Sequence, residues 1–231
     1  MNSYVVIMAG GSGERFWPLS RMQKPKQLLH LTSPDASMIE EAISRIEPLI
    51  PLERILIITS EVLRQPIIDA LPHLPPENVI AEPAKRNTAP CLALACSVIE
   101  HREQGDALMA VLTADHFIGN AASFRRDITT ALQFAETAEA LVVMGIPPTR
   151  PETGYGYIHV AGSLSEDEVS TVDAFKEKPN FETAREYVLS GRYLWNSGMF
   201  FWRTHVLRDV MIDVLPEVGL RIADMTRCIE R

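Results

Sequence analysis

Residues 10 to 26 set glycines directly ahead of a run of cations: Gly10, Gly11, Ser12 and Gly13, then Arg15, Arg21, Lys24 and Lys26. No acidic residue interrupts the stretch from 15 to 26, although the whole chain carries a formal charge of −8. Glycine loops present unpaired backbone N–H groups to anionic oxygen, and the cations add charge, so the chemistry on offer is phosphate binding. The ordinary alternative is a tight turn followed by a solvated basic surface. Two familiar phosphate loops fail on the letters. A Rossmann fingerprint needs a third glycine, but Glu14, Arg15 and Phe16 follow Gly13; a P-loop needs G-K-[ST], which is absent. A nicotinamide-dependent oxidoreductase is excluded on the first count. A serine-nucleophile elbow fails too, because Ser12 is flanked directly by glycines.

Other segments carry compatible groups. In "AEPAKRNTAP" (81–90), Glu82, Arg86, Asn87 and Thr88 stand between a strand and a helix, with Thr88 in a capping position. A helix N-terminus at the carboxyl end of a parallel sheet is where ligands bind in such folds; a polar loop with an ordinary cap is the plainer reading. "LTADH" (112–116) ends a strand on Asp115, a hard oxygen ligand suited to Mg²⁺ held between protein and phosphates, or simply a turn aspartate. His116 reads as its structural neighbour. In "GYGYI", Gly154 and Gly156 permit close backbone approach to a ligand, or a bent strand. Glu177 and Lys178 could grip a hydroxyl and a phosphate separately, or form an exposed charge pair. Asn196 and Gly198 lie among aromatics as a floor for a polar ring; Trp195, Phe200, Phe201 and Trp202 read as core.

These groups need elements to hold them. Apolar runs at 4–10, 54–60, 78–83, 108–115 and 140–146 read as central parallel strands covered on both faces. Helical periods fall between them at 37–49, 63–71, 88–104 and 123–139, with Ser37, Thr88 and Ser123 as N-caps. The alternation predicts a doubly wound α/β sheet. Beyond 146, strands at 154–160, 169–179 and 194–202 and helices at 181–192 and 205–222 extend it as a mixed sheet. With 231 residues, 46% hydrophobic and 23% charged, the chain can bury a sizeable core. The acidic balance argues against broad nucleic-acid or anionic-membrane binding. The three cysteines, Cys91, Cys96 and Cys228, match no zinc or redox spacing and read as free buried thiols. With no signal-peptide pattern and no spanning apolar run, the expected compartment is the cytoplasm.

Taken in order, "AGGSGERFWPLSRMQKPKQLL", "EPAKRNTAP", "TADH", "GYGYI", "EKP" and "WNSGMF" resemble the mannose-1-phosphate guanylyltransferase family, within the sugar-nucleotidyltransferase superfamily. The resemblance runs from about Tyr4 to the late helix. It implies a Rossmann-like fold in three α/β/α layers, and guanylyl transfer from GTP to α-D-mannose 1-phosphate with Mg²⁺, releasing pyrophosphate. Carried over, Gly10, Gly11, Ser12 and Gly13 wrap the nucleotide, Arg15 neutralises the leaving pyrophosphate, and Lys26 of "PKQ" meets the reacting phosphates. Glu82, Arg86, Asn87 and Thr88 hold the guanosine; Asp115 holds the metal; Gly156, Glu177, Lys178 and Asn196 hold the sugar phosphate. Family chains continue past the position of Arg231 with a second metal aspartate near W-x-D-x-G. The expectation is therefore one nucleotidyltransferase domain over 1–231, incomplete at its C-terminus. A different sugar or base, and a non-catalytic nucleotide-binding regulator, are the competing readings; oligomeric state, a homo-oligomer included, is left open.

Overall fold

Parallel pairing puts β1 (Ser3–Met8) between β2 (Ile55–Ser60) and β4 (Leu108–Thr113), with β3 (Val79–Glu82) outside β2. The computed structural model describes residues 1–11, 16–21, 25–84, 88–162 and 169–229. By its internal contacts the chain divides into two units, Met1–Leu141 with Phe201–Arg231, and Val142–Phe200.

In the first unit the strands are buried in unbroken runs. Val5, Val6 and Ile7, Ile55 to Ile58, and Met109 to Val111 are all 0% exposed. Neighbouring residues of a strand face opposite sides of the sheet, so such runs require cover on both faces. The helices α1 (Met38–Ile46), α2 (Glu61–Ala70), α3 (Thr88–Glu103) and α4 (Ala121–Thr137) alternate with the strands along the chain. Helix α1 starts as read: Ser37 N–H and Oγ–H both donate to the Glu40 carboxylate, at 2.7 and 2.6 Å. Two other starts differ. Helix α3 already includes Thr88 as its first residue, so the cap position falls at 87, outside the described residues. In α4 the cap is Asn120, whose Oδ1 accepts from Ser123 N–H at 3.0 Å. The helix starts at Ala121, so Asn120 takes the cap position and Ser123, three residues on, becomes the donor.

The expected helix at 205–222 is two helices, α6 (Thr204–Val214) and α7 (Pro216–Cys228). Proline at 216 displaces the residue before it from helical angles, and Leu215 sits at φ −136°, ψ 65°. Pro216 then opens α7, where its missing N–H costs nothing. Gly219 lets α7 fold back on α6: a Cβ there would lie 2.5 Å from Met211 C and 2.7 Å from Ile212 Cα. The start of α6 is capped from far away in sequence. Asp106 Oδ1 accepts from Thr204 Oγ–H at 2.9 Å and His205 N–H at 3.0 Å, while Oδ2 accepts from Arg203 Nε–H at 2.7 Å. Burial pushes the Asp106 carboxyl up, but these donors together hold it down at about 2. Of the cysteines, Cys91 and Cys96 are buried and free, whereas Cys228, at the end of α7, is exposed, contrary to expectation. An amphipathic helix leaves one face to solvent, and Cys228 falls there.

In the second unit, β6 (Gly156–Val160) pairs antiparallel with β7 (Val172–Glu177) and with β8 (Tyr193–Arg203), whose last residues belong to the first unit. Helix α5 (Phe181–Ser190) begins on an Asn180 cap and ends at Gly191 in the left-handed region. Strand β5 (Val142–Ile146) pairs with β8 and is only half-buried, with Ile146 exposed. It was expected among the buried parallel strands. A short apolar run looks the same whether it is covered on one face or two.

Two outcomes follow from this packing. Gly219→Ala forces a methyl against the α6 backbone and should lower stability by about 1–3 kcal/mol, read as a reduced Tm. Asp106 contributes stability fully present above the unfolded carboxyl value of 3.8 and lost as pH falls through about 2. Thermal melts across that window should show a steep acid loss in the parent and a shallower one in Asp106→Asn.

Candidate active site

All strands of the first unit's parallel set end on one edge. Met8 pairs with Ile58 and Thr113, and Ser60 with Glu82. The glycine loop after β1, the Asp115 segment after β4 and Glu82 therefore leave from the same carboxyl edge, where open α/β sheets bind ligands. Ala9 still pairs, donating its N–H to Ile58 O at 2.8 Å. Its carbonyl accepts two side-chain bonds, from Gln27 Nε2 at 2.5 Å and Thr59 Oγ1 at 3.1 Å. At Gly10 a Cβ would lie 3.2 Å from Glu82 Oε1, so the loop and Glu82 are neighbours. At Gly11 a Cβ would meet nothing. Ser12, Gly13 and Arg15, and likewise Arg86 and Asn87, lie outside the described residues. Thr88 is exposed at the head of α3.

The structure brings Lys26 and Asp115 together. Lys26 opens a short 3₁₀ turn, Lys26–Leu28, closed by Leu28 N–H to Pro25 O and Leu29 N–H to Lys26 O, both at 3.0 Å. Lys26 Nζ donates to Asp115 Oδ2 at 3.1 Å and stands 4.5 Å from the Phe16 ring centroid. The Asp115 side chain is 45% exposed, and Lys26 22%. Both side chains thus keep some access to solvent. Magnesium usually takes one or two protein carboxylates and completes its shell with water and substrate phosphates. A single accessible carboxylate at the carboxyl edge fits that mode. Among the described residues, no group of three or more His, Cys, Asp or Glu side chains could hold a metal unaided. His116 is turned to structure: its carbonyl accepts from Arg45 Nη2 at 3.3 Å, and burial pushes its imidazole toward the neutral form.

The second unit holds the other expected residues in defined places. Gly156 pairs across the ladder with Glu177, and a Cβ there would lie 2.6 Å from Phe175 Cζ and 3.0 Å from Glu177 Oε2. Glycine at 156 is thus needed for the approach of β7 itself. Glu177 and Lys178 pair with each other at 2.8 Å, both more than half exposed, rather than standing apart for two ligand groups. Lys178 holds a φ of +42°, unusual for a side chain of its size. Within β8, Asn196 Oδ1 accepts from Gly198 N–H at 3.0 Å, and Gly198 holds a φ of +71°. Trp195 is buried, edge-on to Tyr155 at 5.4 Å, and Arg150 lies over its ring at 5.6 Å. Phe201 and Trp202 are core, as expected.

Gln27 and Thr59 escaped the reading of the sequence. Both are polar and buried, 4% and 0% exposed. A signal was present for each: Gln27 follows the lysine of "PKQ", and Thr59 interrupts the otherwise apolar "RILIITS". Neither shows its partner, because a backbone carbonyl leaves no mark in the letters.

Among the described residues no helix is long and apolar enough to cross a membrane. Residues 4–217 match the sequence model of the nucleotidyl transferase family. The chain is 46% identical over 207 residues to a mannose-1-phosphate guanylyltransferase of Escherichia coli (strain K12), covering 87% of this chain and 42% of that protein. It superposes on a crystal structure described as a mannose-1-phosphate geranyltransferase from Thermus thermophilus with a TM-score of 0.88 and 32% identity, covering 98% of this chain and 65% of that one. A mannose-6-phosphate isomerase structure from Helicobacter pylori, at 23% identity and a TM-score of 0.77, covers 98% of this chain and 80% of that one and shares the fold. The chain spans about half the length of the curated relatives it matches, 42% to 45% in each case. A parallel sheet whose carboxyl edge joins a glycine loop to a lysine–aspartate pair, and a family match over nearly its whole length, establish that this chain belongs to the nucleotidyl transferase family.

Proposed function

We propose that the chain transfers a guanylyl group from GTP to α-D-mannose 1-phosphate, yielding GDP-mannose and pyrophosphate. The observation that carries this reading is the Lys26–Asp115 pair at 3.1 Å, at the carboxyl edge where β1 also ends, in a chain 46% identical over 207 residues to a mannose-1-phosphate guanylyltransferase. A phosphate oxygen of the sugar phosphate attacks the α-phosphorus in line. A bond forms from that oxygen to phosphorus, the α–β bridging bond breaks, and pyrophosphate departs with the electron pair. Such transfer asks little covalent chemistry of the protein; it asks for alignment and for positive charge where negative charge gathers.

Lys26 fits the second demand. Its ammonium is held in place before substrate arrives, by Asp115 on one side and the Phe16 ring on the other, so little reorganisation is needed. In this proposal Arg15 steadies the leaving pyrophosphate, and Gly10, Gly11, Ser12 and Gly13 offer N–H groups to the triphosphate. Glu82, Arg86, Asn87 and Thr88 receive the guanosine. Gly156, Glu177, Lys178 and Asn196 receive mannose 1-phosphate, with Lys178 exchanging its Glu177 partner for the phosphate. Asp115 would hold Mg²⁺, which when bound adds positive charge against the triphosphate oxygens. The reaction belongs, on this reading, in the cytoplasm.

With GTP, mannose 1-phosphate and Mg²⁺, the chain should release pyrophosphate and GDP-mannose in equal amounts. Competition among nucleoside triphosphates checks the base, since a site that hydrogen-bonds a base edge rejects analogues by large factors. No turnover with any purine triphosphate would overturn the proposal. Lys26→Ala should lower kcat by about 10²–10³-fold, in the range for losing one preorganised charge-stabilising group. Lys26→Arg should restore little of it, because a planar guanidinium cannot reproduce a point charge seated on Asp115.

A further inference from the structure

Lys26 reaches Asp115 from a short turn, and a one-turn 3₁₀ segment has little rigidity of its own. What fixes that turn against the sheet is the next residue. Gln27 is 4% exposed, and its amide nitrogen donates to Ala9 O at 2.5 Å. Because the partner is a carbonyl, only the NH₂ side of the amide can face it. Thr59, at 0% exposure, donates its hydroxyl to the same oxygen at 3.1 Å. Ala9 is where β1 gives way to the glycine loop, and its N–H is already held by Ile58 O at 2.8 Å. One peptide group therefore ties together the loop that would receive phosphate, the end of β2, and the turn that carries the cation. On its other side the turn is held by Met38 N–H donating to Leu29 O at 3.1 Å, at the start of α1.

We infer that Gln27 is a positioning residue for Lys26: its bond to the Ala9 carbonyl, shared with Thr59, sets the distance between the lysine ammonium and the end of β1, where Gly10 and Gly11 follow. The inference rests on the phosphate-handling role proposed for Lys26. The effect is on geometry at the phosphates, where misplacement by about 1 Å can cost 10²-fold in rate.

The test is a double-mutant cycle with Gln27→Met, which keeps length and volume but removes the donor, in the parent and in the Lys26→Ala chain. Two quantities are read: kcat for guanylyl transfer, and Kd for inorganic tripolyphosphate by calorimetry, which needs neither base nor sugar. With Lys26 present, Gln27→Met should lower kcat about 10–100-fold and weaken tripolyphosphate about tenfold, as for a lost contact to a charged group. In the Lys26→Ala chain the same change should alter either quantity by less than about twofold, since a positioning residue has nothing left to position. Thr59→Val should act in the same direction, and Thr59→Ser, which keeps the hydroxyl, should restore the parent values. A merely structural Gln27 would lower Tm and act equally in both backgrounds; that result overturns the inference, as does an unchanged Kd or a parent chain that does not bind tripolyphosphate. A parent chain that binds tripolyphosphate but makes no GDP-mannose overturns the proposed reaction alone, and the tripolyphosphate cycle still decides the role of Gln27.

Discussion

A parallel strand that ends must hand its last peptide groups to new partners. In this chain that handover occurs at Ala9. Its N–H remains in the ladder with Ile58, while its carbonyl takes bonds from Gln27 and Thr59. A buried carbonyl without a partner is costly, so the polar side chains that satisfy it are not interchangeable with apolar ones of similar size. The consequence is mechanical. The residue that ends β1, the end of β2 and the turn bearing Lys26 are thereby tied to one carbonyl oxygen. Asp115 arrives from the next strand, in register because Met8 pairs with Thr113. The candidate site thus grows out of the termination of one central strand.

The last stretch of the first unit is joined by the same logic. Asp106, just ahead of β4, supplies the cap that α6 lacks from its own N-cap residue, Arg203. That carboxylate gathers Arg203, Thr204 and His205 onto the start of β4, while Thr204 N–H donates to Ala107 O at 2.9 Å. Gly219 then admits α7 against α6 at backbone contact. Polar satisfaction anchors one end of this helix pair, and the absence of a side chain permits the other.

Much of this was legible in the letters. Unbroken apolar runs near residues 5, 56 and 110 read as strands covered on both faces, and they are. Ser37 read as a helix start, and there its N–H and hydroxyl both donate to the Glu40 carboxylate. Where the structure differs from the expectation, the reason is sometimes local and sometimes not. Asn120, three residues earlier, takes the cap expected of Ser123, whereas β5 pairs with the distant β8. Glu177 and Lys178 sit beside each other in sequence, so their mutual pairing was the simplest outcome of proximity and exposure. Of the site itself, the lysine and the aspartate were both named from their segments. Their contact across 89 positions was not.

The sequence by itself determined the residue types and the class of chemistry: glycine N–H groups, a lysine and a carboxylate at strand ends, the means to hold phosphate. It did so because periodicity and turn chemistry are local, and because a glycine loop lacking both familiar endings excludes the commoner uses of such loops. Only the tertiary structure decided which groups meet. Parallel registry brought Asp115 to Lys26, and a single buried carbonyl chose Gln27 and Thr59 as its partners. Those choices depend on satisfying buried polar groups in three dimensions, and a backbone oxygen has the same letter-free identity at every position until the fold buries it.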